Sequence, residues 1–186
     1  MFMKTVAYLA TCWLVGTFMA AVAVGRLKGA DPRTAGSGNP GARNAGRLFG
    51  ITGFLAVFLV DALKGAAPVI AGRALGMPEA LVAAGGLMAV SGHVLPLFGR
   101  KGGKGVSTFL GAALAFSPVT VVGLIIGTAA AWLPYRNAVL AMPAGFAAWT
   151  LALLFNGRLD DSWPLLIAAS LVLIRHRDDF RETLDR

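Results

Sequence analysis

The chain has 186 residues, of which 56% are hydrophobic and 14% charged, and it carries a net charge of +8. Mostly apolar runs recur along its whole length, with the charged residues in the gaps between them, which is typical of a polytopic membrane protein and excludes a soluble core. No basic arm is interleaved with aromatic residues, so the positive charge does not indicate a nucleic-acid partner.

The hydropathy pattern predicts an all-α fold with seven membrane-spanning helices in a single membrane domain, residues 1–186. We place the spans at 3–24, 51–70, 80–97, 106–118, 119–134, 138–155 and 163–175. The first two approach the roughly 20 residues that cross a bilayer core. Several others are shorter, and such spans lie in a locally thinned bilayer or are buried among neighbouring helices.

The first span has a second interpretation, as a cleaved signal peptide. Lys4 gives a short basic start, and the Ala-Val-Ala at 21–23 resembles a cleavage site. The apolar run of about 20 residues is long for such a peptide. Cleavage would also remove a span that the charge distribution requires, so we expect the segment to be retained.

The Lys and Arg residues predict the number and direction of the spans. With seven spans, the side that holds residues 25–50, called side A, carries thirteen of these cations: Arg26, Lys28, Arg33, Arg43, Arg47, Arg100, Lys101, Lys104, Arg136, Arg175, Arg177, Arg181 and Arg186. The opposite side carries Lys4, Arg73 and Arg158. Joining 106–134 into one kinked helix changes the ratio to 9 to 7. Because cytoplasmic loops are enriched in Lys and Arg, we predict seven spans, an outside N-terminus and a cytoplasmic C-terminus.

The first connecting segment on side A, AGSGNPGARNAGR at 35–47, is rich in glycine. Gly and Pro favour tight turns with a closely approachable backbone. The hydroxyl of Ser37, the amides and the two arginines add hydrogen-bond donors. An ordinary solvated connector has a similar composition, so this segment alone leaves its role open.

Two charged residues interrupt the second span. The sequence DALKG places Asp61 and Lys64 on one helix face. Unpaired, each would cost about 3 kcal/mol at the membrane centre. We expect an ion pair that acts as a structural anchor or supports a nearby site. His93, near the end of the third span, is expected to orient the basic loop that follows.

That loop, FGRKGGKGVSTFLG at 98–111, mixes cations with glycines before an apolar helix. Successive N–H groups of a glycine turn form a concave anion site, and the helix N-terminus adds its positive dipole end. Ser107 and Thr108 can donate hydroxyls, and Lys101 and Lys104 supply charge. The spacing departs from the Walker A pattern, so the loop predicts a phosphate site and no nucleotide. Topology alone would explain the cations but not the glycines.

The C-terminal stretch RHRDDFRETLDR, 175–186, predicts a charged helix that leaves the last span. Arg175 and His176 fall at the membrane edge. A histidine there can transfer a proton or contact an anion, and a purely structural role is the alternative.

Together these motifs resemble a known family. GSGNPGARN, then DALKG, then GHVLPLFGRKGGKGVST, then RHR look like the bacterial acyl-phosphate:glycerol-3-phosphate acyltransferases of the PlsY type, in matching order from about residue 25 to 180. The resemblance implies a seven-helix enzyme of the bacterial inner membrane with a cytoplasmic active site. It implies acyl transfer from acyl phosphate to glycerol 3-phosphate in phospholipid biosynthesis, giving lysophosphatidate and phosphate. It implies neither metal, cofactor nor acyl-CoA, and no obligatory protein partner is evident.

The resemblance also implies residue roles. The expected catalytic residues are Ser37, Arg47, Lys104 and His176. The expected substrate-binding residues are Gly38, Asn39, Gly41, Asn44, Lys101, Gly102, Gly103, Gly105, Ser107, Thr108 and Asp179. The glycine backbones would surround the phosphate of the acyl phosphate, and Arg47, Lys104 and His176 would hold glycerol 3-phosphate. The general base is either His176 or a substrate phosphate oxygen.

The chemistry suits such residues. An acyl phosphate is a reactive mixed anhydride, so the protein has to orient two anionic reactants and stabilise charge rather than supply a strong nucleophile. Their mutual repulsion amounts to several kcal/mol at an effective dielectric near 20. Charge-assisted hydrogen bonds, each about 1.5–3 kcal/mol, offset it.

The chain departs from the family pattern at several positions. Arg43 replaces a threonine, Ala138 and Ala141 stand where serines are usual, and Asp179 takes the place of an asparagine. Asn can donate a hydrogen bond to phosphate, whereas ionised Asp can only repel it. These departures leave open a diverged paralogue with another acceptor or weak activity, and a catalytically silent membrane partner. A transporter of an anionic substrate is a separate alternative. A transporter should show inverted repeats, and the sequence contains no convincing one.

Overall fold

The computed structural model describes residues 2–97 and 101–185, and in these ranges all regular secondary structure is helical. The helices are α1 Phe2–Gly16, α2 Ala20–Lys28, α3 Ala42–Ala74, α4 Glu79–Val94, α5 Val106–Phe116, α6 Pro118–Tyr135, α7 Ala138–Phe155, α8 Leu159–Arg175 and α9 Arg177–Leu184. The segment Phe2–Lys28 and helices α3, α6 and α7 are long and apolar enough to cross a membrane, and α4 and α5 are shorter apolar helices. The predicted all-α membrane fold is thus confirmed, while Arg100 and Arg186 of the side A count lie outside the described residues.

The first predicted span is two helices rather than one. Residues 17–19 separate α1 from α2, and Met19 has extended backbone angles. The Phe18 carbonyl in this break accepts a hydrogen bond from Lys64 Nζ at 2.5 Å. A backbone carbonyl inside a bilayer needs such a donor, so the break is stabilised by a charge on another helix.

Helix α3 changes direction at Gly50, whose φ of 72° and ψ of −169° are not helical. Only glycine adopts such angles without strain. The turns before Gly50 therefore form a separate short helix, and the longer part that follows corresponds to the span predicted at 51–70.

The stretch 106–134 forms two helices rather than one, as the distribution of Lys and Arg predicts. Helix α5 ends at Phe116, Ser117 is extended, and Pro118 opens α6, a position that suits proline because its missing N–H is not needed there. Arg73 donates to the Ala115 and Phe116 carbonyls at 2.7 and 2.6 Å. The C-terminus of the short helix α5 is thereby satisfied.

Glycines allow α3 and α5 to cross in direct backbone contact. A Cβ at Gly65 would overlap the Thr108 carbonyl, and a Cβ at Gly111 would overlap the Ala62 carbonyl. Small residues permit this close approach in membrane bundles. The crossing fixes the position of α5, and hence of the loop that leads into it.

Contacts between helix ends define the two ends of the bundle. At one end, Lys4 Nζ donates to the Leu75 carbonyl at 2.9 Å, and Arg158 pairs with Glu79 at 2.5 Å. The glycine segment at 35–47, the loop at 101–105 and α9 gather at the other end, which is the side A end. The predicted grouping of these three segments therefore agrees with the architecture.

Candidate active site

The first glycine segment is a set of tight turns organised by Asn44. This side chain is 1% exposed; its Oδ1 accepts from the Ser37 N–H at 2.9 Å, and its Nδ2 donates to the Pro32 and Ala35 carbonyls at 3.0 Å each. Gly36 has a φ of 63°, and a Cβ there would overlap Asn44 Oδ1. Asn44 therefore holds the turn from inside rather than facing a ligand.

A local ion pair that sequence reasoning missed stabilises the chain just before this turn. Arg33 forms a bidentate pair with Asp31, with Nη2 to Oδ2 at 2.6 Å. Hydrogen bonds from Arg33 lower the pKa of Asp31 to about 2. The sequence signal was the pair of opposite charges two residues apart, flanking Pro32.

The basic loop is anchored on the C-terminal end of α4. Gly103 N–H donates to the His93 carbonyl at 3.1 Å. A Cβ at Gly102 would overlap the Val94 carbonyl, and a Cβ at Gly103 would overlap the His93 ring. Gly105 has a φ of 88° and precedes the first residue of α5. Three glycines are thus required for this path of the backbone, which explains what topology alone did not.

A buried charge cluster lies behind this loop. Lys64 Nζ is 2.7 Å from Asp61 Oδ1 and 2.7 Å from His93 Nδ1, and all three side chains are at most 5% exposed. Since an ammonium only donates, His93 accepts at Nδ1, and its Nε2 carries a hydrogen and faces Gly103. The predicted ion pair exists, and it links the break after α1 to the loop.

The two glycine segments meet. A Cβ added to Gly38 would lie 3.1 Å from Lys101 Nζ and 3.3 Å from the Arg33 carbonyl. Gly38 has a φ of 67°, so its lack of a side chain both permits the turn and leaves room for the lysine. The loop at 101–105 and the segment at 35–47 therefore form one polar surface.

The third segment reaches the same surface through Lys104. Its Nζ forms an ion pair with Asp179 Oδ2, and both side chains are about one-third exposed. His176 Nε2 lies 3.9 Å from the same carboxylate oxygen. The structure thus brings Lys104, His176 and Asp179 together at the entrance to α5.

His176 is held in one orientation by the backbone. Its Nδ1 lies 2.8 Å from the Val172 carbonyl, and because a carbonyl only accepts, this nitrogen carries the proton. Burial lowers the pKa of His176 below its usual value, the Val172 hydrogen bond raises it in part, and Lys104 lowers it again. The ring is therefore neutral at pH 7, and its unprotonated nitrogen is Nε2, which lies 3.9 Å from Asp179 Oδ2.

The remaining predicted residues differ in placement. Ser37 and Arg47 are exposed, and Asn39 and Ser107 are partly buried. Arg47 forms no hydrogen bond or ion pair with any residue that the structure describes. Thr108 is fully buried against α3, and its hydroxyl has no hydrogen-bond partner within the described chain, so it does not reach the surface that the other residues form.

An apolar groove of about 760 Å³ lies between α5 and α6. Leu110, Leu124 and Trp132 are among the residues that line it. Leu110 is one turn beyond the start of α5, so the groove opens beside the helix that follows the basic loop.

The fold and this arrangement define an integral membrane protein whose polar side chains gather at one end of a helical bundle. A family model described as "Glycerol-3-phosphate acyltransferase" matches residues 6–186. A protein of that name from Geobacter sulfurreducens is 40% identical over 180 residues, covering 92% of this chain and 90% of its own. One from Neisseria meningitidis is 39% identical over 189 residues, covering 98% of this chain and 94% of its own.

Solved structures agree. Crystal structures of PlsY (YgiH), an integral membrane glycerol 3-phosphate acyltransferase, in its glycerol 3-phosphate and lysophosphatidic acid forms, superpose with a TM-score of 0.87 at 31% identity. Each match covers 98% of this chain and 92% of the other. The chain belongs to the glycerol-3-phosphate acyltransferase family, and the predicted resemblance and acyltransferase activity are confirmed.

Proposed function

We propose that the protein transfers a fatty acyl group from acyl phosphate to glycerol 3-phosphate, releasing inorganic phosphate and forming 1-acyl-glycerol 3-phosphate. The reaction takes place at the cytoplasmic face of the bacterial inner membrane. The acceptor agrees with the names of the relatives; the donor and the orientation are our own proposals.

One observation carries this proposal: three segments far apart in sequence converge where α5 begins. Lys101 lies against Gly38, and Lys104 lies against Asp179 beside His176. The first N–H groups of α5 have no helical acceptor. Cations next to free N–H groups at a helix N-terminus suit phosphate, which both proposed substrates carry.

The groove between α5 and α6 supports a donor with a long apolar chain. It opens on the apolar surface of the bundle, so a fatty chain would remain in the bilayer while its phosphate reached the polar end. Because lipid tails are as apolar as the groove, contact with the groove would align the chain rather than remove it from water.

His176 suits the part of general base on the acceptor side. The proton at Nδ1 is fixed by Val172, so Nε2 is free to take the proton of an acceptor hydroxyl. The donor's carbonyl carbon is then attacked, the acyl–oxygen bond breaks, and phosphate leaves with the electron pair. A substrate phosphate oxygen is the alternative base.

The purified full-length protein tests the proposal when it is given acyl phosphate and labelled glycerol 3-phosphate. We expect labelled lysophosphatidate and phosphate in equal amounts. Lys104→Ala should reduce turnover at least about 100-fold, since it removes a charge that stabilises the transition state. Lys28→Ala, which removes an exposed cation in the last turn of α2, should leave turnover near that of the parent.

Three outcomes would contradict the proposal. Full activity of Lys104→Ala would remove the loop from the mechanism. Uptake of glycerol 3-phosphate into vesicles without product would favour transport. A folded protein with no turnover on acyl phosphate would favour another donor or a silent paralogue.

A further inference from the structure

The lysine that the proposed mechanism requires, Lys104, already forms an ion pair with an acidic side chain. Lys104 Nζ is paired with Asp179 Oδ2, and within the described chain Lys104 forms no other hydrogen bond or ion pair. Lys101, in the same loop, has no acid partner among the described residues. The carboxylate therefore lies on one of two loop lysines, at the entrance to α5.

The acid is positioned so that it can be replaced. Both partners of the pair are about one-third exposed, and α9, which carries Asp179, buries none of its residues. Because the pair is partly exposed, water and ions compete with it, and it is weaker than a fully buried pair. A phosphate dianion has more charge and more acceptor oxygens than a carboxylate and forms stronger hydrogen bonds with an ammonium group.

We propose that Asp179 is a built-in counter-ion of Lys104 that the phosphate group of a substrate has to displace. In this way Asp179 sets how tightly the site holds phosphate. The inference rests on the proposed function, because it takes Lys104 to be a phosphate ligand. It predicts that phosphate affinity is held below what the loop could reach without the acid.

The alternative explanation is that the ion pair only attaches α9 to the loop. The two explanations predict opposite changes in phosphate affinity when the carboxylate is removed. If the pair only holds α9 in place, removing the carboxylate loosens the site and weakens phosphate binding. If Asp179 competes with phosphate, removing it strengthens binding, because both the occupant and its repulsion of the incoming anion are lost.

Asp178→Asn is the matched control for Asp179→Asn. Both residues lie in the first turn of α9, where a carboxylate interacts favourably with the helix dipole. Asp178 is 72% exposed and pairs with Arg177 at 3.4 Å, not with the loop. The two variants thus change net charge and the helix terminus alike. They differ in the contact with Lys104 and in the longer one, at 3.9 Å, with His176.

The experiment titrates the purified full-length chain in detergent with inorganic phosphate, and separately with glycerol 3-phosphate, by calorimetry at low ionic strength. We expect Asp179→Asn to bind phosphate about three- to tenfold more tightly than the parent, with Asp178→Asn close to the parent. Asp179→Ala should act in the same direction, since it removes the carboxylate without adding an amide donor.

A double variant completes the test. In a Lys104→Met background, Asp179→Asn should have a smaller effect, because no lysine is freed and only the repulsion of the anion is relieved. Equal changes in Asp179→Asn and Asp178→Asn, or weaker phosphate binding in Asp179→Asn, would overturn the inference. These titrations do not depend on acyl transfer. If the parent catalyses acyl transfer but the Asp179 variants bind phosphate as the parent does, only this inference is contradicted. If the variants bind phosphate more tightly but the parent shows no acyl transfer, only the proposed reaction is contradicted.

Discussion

At the scale of a residue, His176 shows how a single backbone carbonyl determines which ring nitrogen of a histidine is basic. Val172 accepts from Nδ1, so the basic nitrogen is Nε2. Burial and Lys104 keep the ring neutral. A surface histidine would be partly charged near pH 6.5, and its accessible nitrogen would then be a donor.

We expect the His176 ring to titrate below pH 6.5, as measured by the ring proton shifts in NMR. His176→Gln assigns the signal against His93. Lys104→Met should raise the pKa of His176, because a neighbouring positive charge is removed while Asp179 remains. A midpoint above 6.5, or one that Lys104→Met lowers, would contradict the assignment.

The same shift has a consequence for stability. The unfolded chain takes up a proton at His176 near pH 6.5, before the folded chain does. The contribution of the neutral ring is therefore complete above that pH and is lost as the pH falls from 6.5 through the lower pKa of the folded state.

At the scale of an element, the crossing of α3 and α5 holds the site together. Gly65 and Gly111 bring the two backbones into contact, and Arg73 holds the far end of α5. The 11 residues of α5 are too few to cross a bilayer core alone. Its position is decided by these neighbours, and Lys104 moves with it.

We expect Gly111→Ala to lower the free energy of unfolding by about 1–3 kcal/mol, because the new methyl group overlaps the Ala62 carbonyl and backbone cannot move aside. Turnover should fall as well, since α5 shifts. Gly46→Ala is the control: its Cβ would lie 3.1 Å from the Phe54 side chain. Unfolding in detergent–SDS mixtures measures both, and equal stability of the two variants would argue against the crossing.

At the scale of the whole molecule, the predicted side A and the packing of the helices place the three polar segments at the same end of the bundle, called the active end. The segment at 35–47, the loop at 101–105 and α9 meet there, and Lys4, Arg73 and Arg158 lie at the other end. Because Lys and Arg are enriched on the cytoplasmic side of membrane proteins, the active end should face the cytoplasm.

Cysteine labelling in cells and in inverted vesicles tests this orientation. Arg43→Cys is exposed at the active end and Asn156→Cys at the other, while the native Cys12 is buried. We expect a membrane-impermeant maleimide to label Arg43→Cys only in inverted vesicles and Asn156→Cys only in intact spheroplasts. Reaction of both positions from one side would contradict the seven-span topology.

The sequence by itself determined the class of fold, the approximate helices and the three polar segments, because apolar runs separated by charged, glycine-rich gaps admit few arrangements in a bilayer. It also identified the Asp61–Lys64 pair, since two buried charges one helical turn apart need each other. It did not reveal the break at 17–19 or the kink at Gly50, because both are stabilised by residues distant in sequence or by the local freedom of one glycine.

Tertiary structure alone decided which predicted site residues share a surface. Asn44 and Thr108 carry suitable polar groups, yet one is used inside the turn and the other is buried by the helix crossing. Asp179, which by sequence could only repel phosphate, lies on Lys104. Such outcomes depend on how helices pack across the bundle, and a hydropathy pattern carries no information about which faces of which helices come into contact.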